Sequence, residues 1–135
     1  GDGAFGIAVT ELTAIGRNEW PPITMVVFRN YQWGAEKRNS TLWYEDNFVG
    51  TELDEQVSYS GIAKACGLQG IQTRKMDDLR DALSNAINDQ MNNGKTTLIE
   101  AMINQELGEP FRRDAMKKPV AVAGISASDM VPQTV

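Results

Sequence analysis

Asp2 stands between two glycines in Gly1-Asp2-Gly3, directly ahead of an amphipathic stretch, and it is the first residue whose type and place could do chemistry. A helix start presents unpaired N–H groups and partial positive charge, which suit an anion such as a phosphate. Flanking glycines let a backbone approach that ligand closely. A second polar position, Asn30, falls where an apolar run ends and is followed by Tyr31-Gln32-Trp33-Gly34. Ligands of parallel α/β sheets sit outside the carboxyl ends of the strands. If a strand precedes Gly1 and lies beside the one before Asn30, then Asp2 and Asn30 project from one sheet edge into one crevice. That geometry suits Mg²⁺, which takes a few oxygen ligands from protein and completes its octahedron with phosphate oxygens and water. A carboxylate, an amide oxygen and a loop carbonyl would hold the ion, with a diphosphate closing the shell. Asp2 or Asn30 taken alone reads as an ordinary turn residue; the paired placement carries the chemistry.

The elements that must position these residues follow the grammar of an α/β fold. Phe5, Ala8, Leu12 and Ile15 recur at helical spacing over 4–15, and Gly16-Arg17-Asn18 supplies a stop. Pro21-Pro22 lead into Ile23-Thr24-Met25-Val26-Val27-Phe28, which predicts a strand buried on both faces. Residues 31–51 have no clear period and read as a long excursion with room for a short helix; their aromatics argue against disorder. Val57, Gly61, Ile62 and Ala65 mark a second helix ending at Gly67, and 68–73 a short strand. Met76, Leu79, Leu83, Ala86 and Met91 set a third helix, with Asp77 and Asp78 at its positive end and Gly94 past its last turn. Residues 97–103 form the last buried strand. The expected class is α/β, a parallel sheet flanked by helices.

Composition narrows the chemistry. The 135 residues carry 13 Lys+Arg against 18 Asp+Glu, one cysteine and no histidine. Triads and metal sites built on imidazole are excluded, and so is an intrachain disulfide. An acidic balance argues against a general nucleic-acid binder, and no stretch approaches a membrane span. A soluble protein of a reducing, cytoplasmic compartment is expected. Cys66 reads as a small buried hydrophobe, and Trp33 and Trp43 as packing or interface residues. Organisation divides into a globular part, 1–104, and a basic arm and tail, 105–135, in which 111–119 holds four cations against one anion. The opening Gly-Asp-Gly, in place of a methionine, reads as a piece that begins partway through a domain.

The ordered set Gly1-Asp2-Gly3-Ala4-Phe5, Glu11-Leu12, a proline-led apolar strand ending in Asn30, and Gly34 resembles the thiamine diphosphate motif of the acetolactate-synthase-like carboligases. The family pattern usually closes on two asparagines; here Arg29 fills the first place. The resemblance implies the later part of a thiamine diphosphate-binding domain, itself incomplete. It implies Asp2 and Asn30 as Mg²⁺ side-chain ligands and Gln32 as a backbone-carbonyl ligand. Gly3 and Ala4 would donate N–H bonds to the diphosphate, with Gly1 and Gly34 completing the cofactor pocket.

Residues 31–39, 97–101 and 111–119 resemble a branch that converts sulfoacetaldehyde and phosphate to acetyl phosphate and sulfite. Alternatives within the family are acetolactate synthase and 2-oxoacid decarboxylase activity; outside it stands a non-catalytic module that assembles with a partner. Sulfonate and phosphate beside a diphosphate call for cations, and Lys37, Arg38, Arg112, Arg113, Lys117 and Lys118 are the candidates. In this family the glutamate that activates the cofactor comes from another domain of a partner subunit. The chain alone is therefore expected to be inactive and to work within a homodimer or homotetramer.

Overall fold

The computed structural model describes residues 1–17 and 19–107. Its centre is a three-stranded sheet of β1 (Thr24–Arg29), β2 (Gln69–Thr73) and β3 (Thr97–Met102), in the order β1-β3-β2. Both pairings are parallel, with Thr24 opposite Thr97 and Arg29 opposite Met102, so β1 and β3 end level. The expected α/β class with a parallel sheet is what the chain forms. β3 lies between the other two strands, which is why Leu98, Ile99 and Ala101 are all buried.

Helices cover the two faces. On one face, α4 (Tyr59–Ala65) and the segments before β1 pack Leu12, Tyr59, Ala63 and Leu68 onto Val27 and Leu98. Phe5, Ile15 and Cys66 join that cluster. Ser58 caps α4, its Oγ accepting from the Gly61 N–H at 3.0 Å. A Cβ on Gly70 would stand 2.0 Å from the Ser60 carbonyl oxygen, so α4 rests directly on the β2 backbone. On the other face, α5 (Met76–Asn93) sets Leu79, Ala82 and Ala86 against Ile71 and Ile99. Asp77 and Asp78 occupy its first turn and Gly94, at φ 63°, closes it in the left-handed region.

Two expectations need correction. The single helix over 4–15 is instead α1 (Asp2–Ile7), a 3-10 turn (Val9–Glu11) and α2 (Leu12–Ile15). Ala8, at φ −108° and ψ 15°, leaves helical geometry, and the β-branched Val9 and Thr10 follow it. The helix also starts at Asp2, two residues earlier than its apolar period. Within the excursion, the short helix it had room for is α3 (Gly34–Trp43), of ten residues. Finally, β1 is not buried on both faces. Met25 and Val27 pack inward, but Val26 and Phe28 are 36% and 51% exposed, because α5 covers β3 and β2. Among the described residues, no helix is long and apolar enough to cross a membrane.

Candidate cation and diphosphate site

Strand β1 delivers Asn30 at the carboxyl end of the sheet, and the first turn of α1 delivers Asp2 to the same point. Asp2 is 1% exposed, and its Oδ2 accepts from the Tyr31 N–H at 2.8 Å. Its other carboxylate oxygen faces the Asn30 amide at 3.0 Å, and that amide also faces the Gln32 carbonyl at 3.2 Å. With the Asn30 oxygen turned toward them, three acceptors crowd one point. Turned over, the Asn30 NH₂ donates to both neighbours and its oxygen accepts from Gln32 Nε2 at 3.2 Å. The first arrangement is favourable only around a cation. Neighbouring ligands at about 2.1 Å in an octahedron stand about 3 Å apart, close to the spacing of the Asn30 amide from each of its two neighbours. The donor set of one carboxylate, one amide and one carbonyl fits a small hard cation. Among the described residues there is no group of three His, Cys, Asp or Glu side chains that could hold a metal.

The turn that brings Gln32 back is unusual. Tyr31 sits at φ 59°, a conformation costing a residue with a side chain on the order of 1 kcal/mol or more. It is held there by Asp2 on its N–H, by the Leu53 N–H on its carbonyl at 2.8 Å, and by the Arg29 guanidinium 4.5 Å from its ring centroid. The Trp33 N–H donates to the Thr51 carbonyl at 2.8 Å, stitching the turn to the far end of the excursion. Gln32 is 2% exposed, and its Nε2 donates to the Gln105 carbonyl at 2.9 Å. The start of the expected basic arm thus lies against this turn.

On the anion side, the Phe5 N–H bonds to the Gly1 carbonyl at 3.0 Å, so the α1 ladder begins there and the amides of Gly3 and Ala4 precede it. Gly3 is buried against the Trp33 ring, which a Cβ would meet at 2.9 Å. Gly1 and Gly34 are less tightly bounded. Added Cβ atoms would lie 3.8 Å from the Phe28 carbonyl oxygen and 3.6 Å from Asn30 Nδ2, ordinary contacts.

The cation candidates divide. Lys37 forms an ion pair with Glu52 and lies 5.2 Å from the Phe48 ring centroid. Arg38 Nη1 donates to the Leu107 carbonyl at 3.4 Å. Arg112, Arg113, Lys117 and Lys118 lie outside the described residues.

A buried network adjoins the site, and sequence reasoning passed over it. Arg29 and Glu100, with side chains 2% and 0% exposed, form an ion pair. Glu100 also accepts from the Ser60 hydroxyl at 2.8 Å and from the backbone N–H groups of Ser60 and Tyr59 at 3.1 and 3.3 Å. Burial pushes the Glu100 carboxyl up, but the bonds from Ser60, Arg29 and Tyr59 together hold it below the usual carboxylate value. Burial and the nearby Asp2 charge raise the Tyr59 phenol. The sequence held a signal for this pair. A carboxylate inside Thr97-Leu98-Ile99-Glu100-Ala101 and a guanidinium closing an apolar strand are charges that burial tolerates only when partnered.

The family model for the thiamine pyrophosphate enzyme C-terminal TPP binding domain matches residues 1–101. The sulfoacetaldehyde acetyltransferase of Roseovarius nubinhibens is 79% identical over 135 residues, 100% of this chain and 22% of that protein. That of Rhodobacter capsulatus is 77% identical over 133 residues, 98% of this chain and 22% of the relative. The probable sulfoacetaldehyde acetyltransferase of Rhizobium meliloti is 63% identical over 133 residues, again 98% and 22%. The chain thus spans about 22% of the length of these relatives. With the family's match running from the Asp2 turn into β3, the chain belongs to the thiamine pyrophosphate enzymes, in their C-terminal TPP-binding domain.

Proposed function

We propose that this chain is the C-terminal, cofactor-binding part of a thiamine diphosphate- and Mg²⁺-dependent acetyltransferase that turns sulfoacetaldehyde and inorganic phosphate into acetyl phosphate and sulfite. The observation that carries the reading is the convergence of the Asp2 carboxylate and the Gln32 carbonyl on the Asn30 amide, at 3.0 and 3.2 Å. The identity of the relatives across the whole chain supports the choice of substrate.

The reaction balances without an external oxidant. The C–S bond breaks with its electron pair leaving on sulfite; the aldehyde C–H bond gives up its proton and its electron pair passes to the neighbouring carbon, which takes up a proton and becomes the methyl group, while the aldehyde carbon rises to the acyl level. A phosphate oxygen then forms the new bond to the acyl carbon. Thiamine diphosphate, when bound, supplies the carbanion and electron-sink chemistry. The residues of this chain bind and orient. Asp2, Asn30 and the Gln32 carbonyl hold Mg²⁺, and the Gly3 and Ala4 amides hold the diphosphate, with Gly1 and Gly34 leaving it room. Lys37, Arg38, Arg112, Arg113, Lys117 and Lys118 are the candidates for sulfonate and phosphate, and no catalytic side chain is assigned here. The glutamate that activates the cofactor lies in another domain of a partner subunit, which makes the working form a homodimer or homotetramer in the cytoplasm.

The test is sulfite release by the complete enzyme given sulfoacetaldehyde, phosphate, thiamine diphosphate and Mg²⁺. Sulfite and acetyl phosphate in equal amounts are expected, with loss of both on chelation. Acetolactate formed from pyruvate, without sulfite release, would overturn the substrate assignment.

A further inference from the structure

Asp2 is held from two sides. The Tyr31 N–H grips its Oδ2, and the Tyr59 hydroxyl donates to its carbonyl at 3.2 Å. Both tyrosine rings lie under one guanidinium, that of Arg29, at 4.5 and 5.5 Å from their centroids. Arg29 is also the residue before Asn30, and its carbonyl accepts from the Ile103 N–H at 2.9 Å. The guanidinium is fixed by Glu100 on β3 and by the carbonyls of Asp54 and Glu55, at 3.2 and 3.0 Å. Every segment carrying a cradle oxygen therefore meets Arg29 or a residue stacked on it.

A buried ion pair is an expensive way to fill space, and apolar side chains of similar volume often do so with equal or greater stability. A planar group with five fixed donors and two stacking faces does something apolar atoms cannot, which is to set orientation. Resting on the cation site proposed above, we infer that Arg29, locked by Glu100, is a positioning residue that fixes the Asn30–Gln32 turn and Asp2 in cation-binding geometry. It touches neither the cation nor the substrate in this role.

The test uses the complete enzyme and four forms: wild type, Arg29→Lys, the double variant Arg29→Asn/Glu100→Gln, and Asp2→Asn. The double variant removes both charges together, so no buried charge is left without a partner. Two quantities are read. One is the Mg²⁺ concentration giving half-maximal thiamine diphosphate binding, followed by quenching of tryptophan fluorescence. The other is thermal unfolding without Mg²⁺ and cofactor. For the double variant we expect a Mg²⁺ requirement raised on the order of 10-fold or more, with unfolding of the unloaded protein shifted by only a few degrees. Arg29→Lys, which keeps the charge but loses the planar fork, should fall between it and wild type, and it decides the matter if the double variant does not fold. A folded variant that needs no more Mg²⁺ than wild type overturns the inference, as does a loss of binding that only tracks the unfolded fraction. Asp2→Asn separates the two levels. If it too leaves the Mg²⁺ requirement unchanged, the cation site itself is refuted; if it alone raises the requirement, only the role of Arg29 is.

Discussion

Gly3 gives the most direct test at the level of a single residue. A methyl group there would meet Trp33 Cε3 at 2.9 Å and Cδ2 at 3.0 Å, distances that force the indole to move. Trp33 sits at the start of α3 and its N–H anchors the turn to Thr51, so displacing the ring disturbs the surface on which Gly3 presents its amide. Gly3→Ala should cost about 1–3 kcal/mol of stability, as overpacking does, and weaken thiamine diphosphate binding roughly tenfold. Urea unfolding and cofactor titration of the complete enzyme measure the two separately. An unchanged binding curve would mean that the ring accommodates the methyl without touching the site. At this scale the sequence was informative where a residue's role follows from type and order. Asp2 and Asn30 come together as their placement beside one sheet edge implied. Arg29 and Glu100 escaped notice because their meaning depends on each other, and 70 intervening residues conceal that they meet.

Elements were legible in proportion to how far one local rule determined them. β3 and α5 combine length and end signals, and Gly94 stops α5 where expected, although of the apolar stripe read for α5 only Leu79 and Ala86 pack inward while Met76 and Met91 are exposed. The broken first helix misled for a physical reason. Phe5, Leu12 and Ile15 of the expected stripe pack on one core across the break, with Val9 there in place of the exposed Ala8, so an apolar period continues where the backbone does not. α3 lacked an apolar period, so its bounds were not legible, because Gly34–Trp43 is polar around most of its circumference. For β1, an apolar run records what a strand can bury and says nothing about which helix reaches it.

Strand β3 carries a pH prediction through Glu100. Its folded pKa lies below the ordinary carboxylate value of 4.5, so the unfolded chain takes up the proton first on acidification. The stabilisation is therefore complete above that value and is lost as pH falls through the folded pKa. Glu100→Gln lacks this dependence and leaves Arg29 buried without its counter-charge, at a cost of about 3–5 kcal/mol near neutrality. Denaturant unfolding between pH 7 and pH 3 should show the gap between wild type and variant closing on the acid side. A gap independent of pH would refute the assignment.

Across the whole molecule, three parallel strands give the sheet two unlike rims. The carboxyl ends of β1 and β3 meet at Asp2, Asn30 and Gln105, and the three residues proposed to hold the cation lie there. The opposite rim holds the turn after α5, where Gly94 and Lys95 are exposed and Lys95 N–H bonds only back to Asp89 at 3.2 Å among the described contacts. That rim is the place to graft a reporter. A short glycine-serine peptide between Gly94 and Lys95 should cost at most a capping interaction, about 1 kcal/mol, and leave the Mg²⁺ requirement of the complete enzyme as it was. The same peptide placed after Asn104 should raise it, since Gln105 could no longer reach Gln32. A sheet whose three described strands point one way has an engineering side and a chemical side, and a fluorophore or affinity handle is best carried on the first.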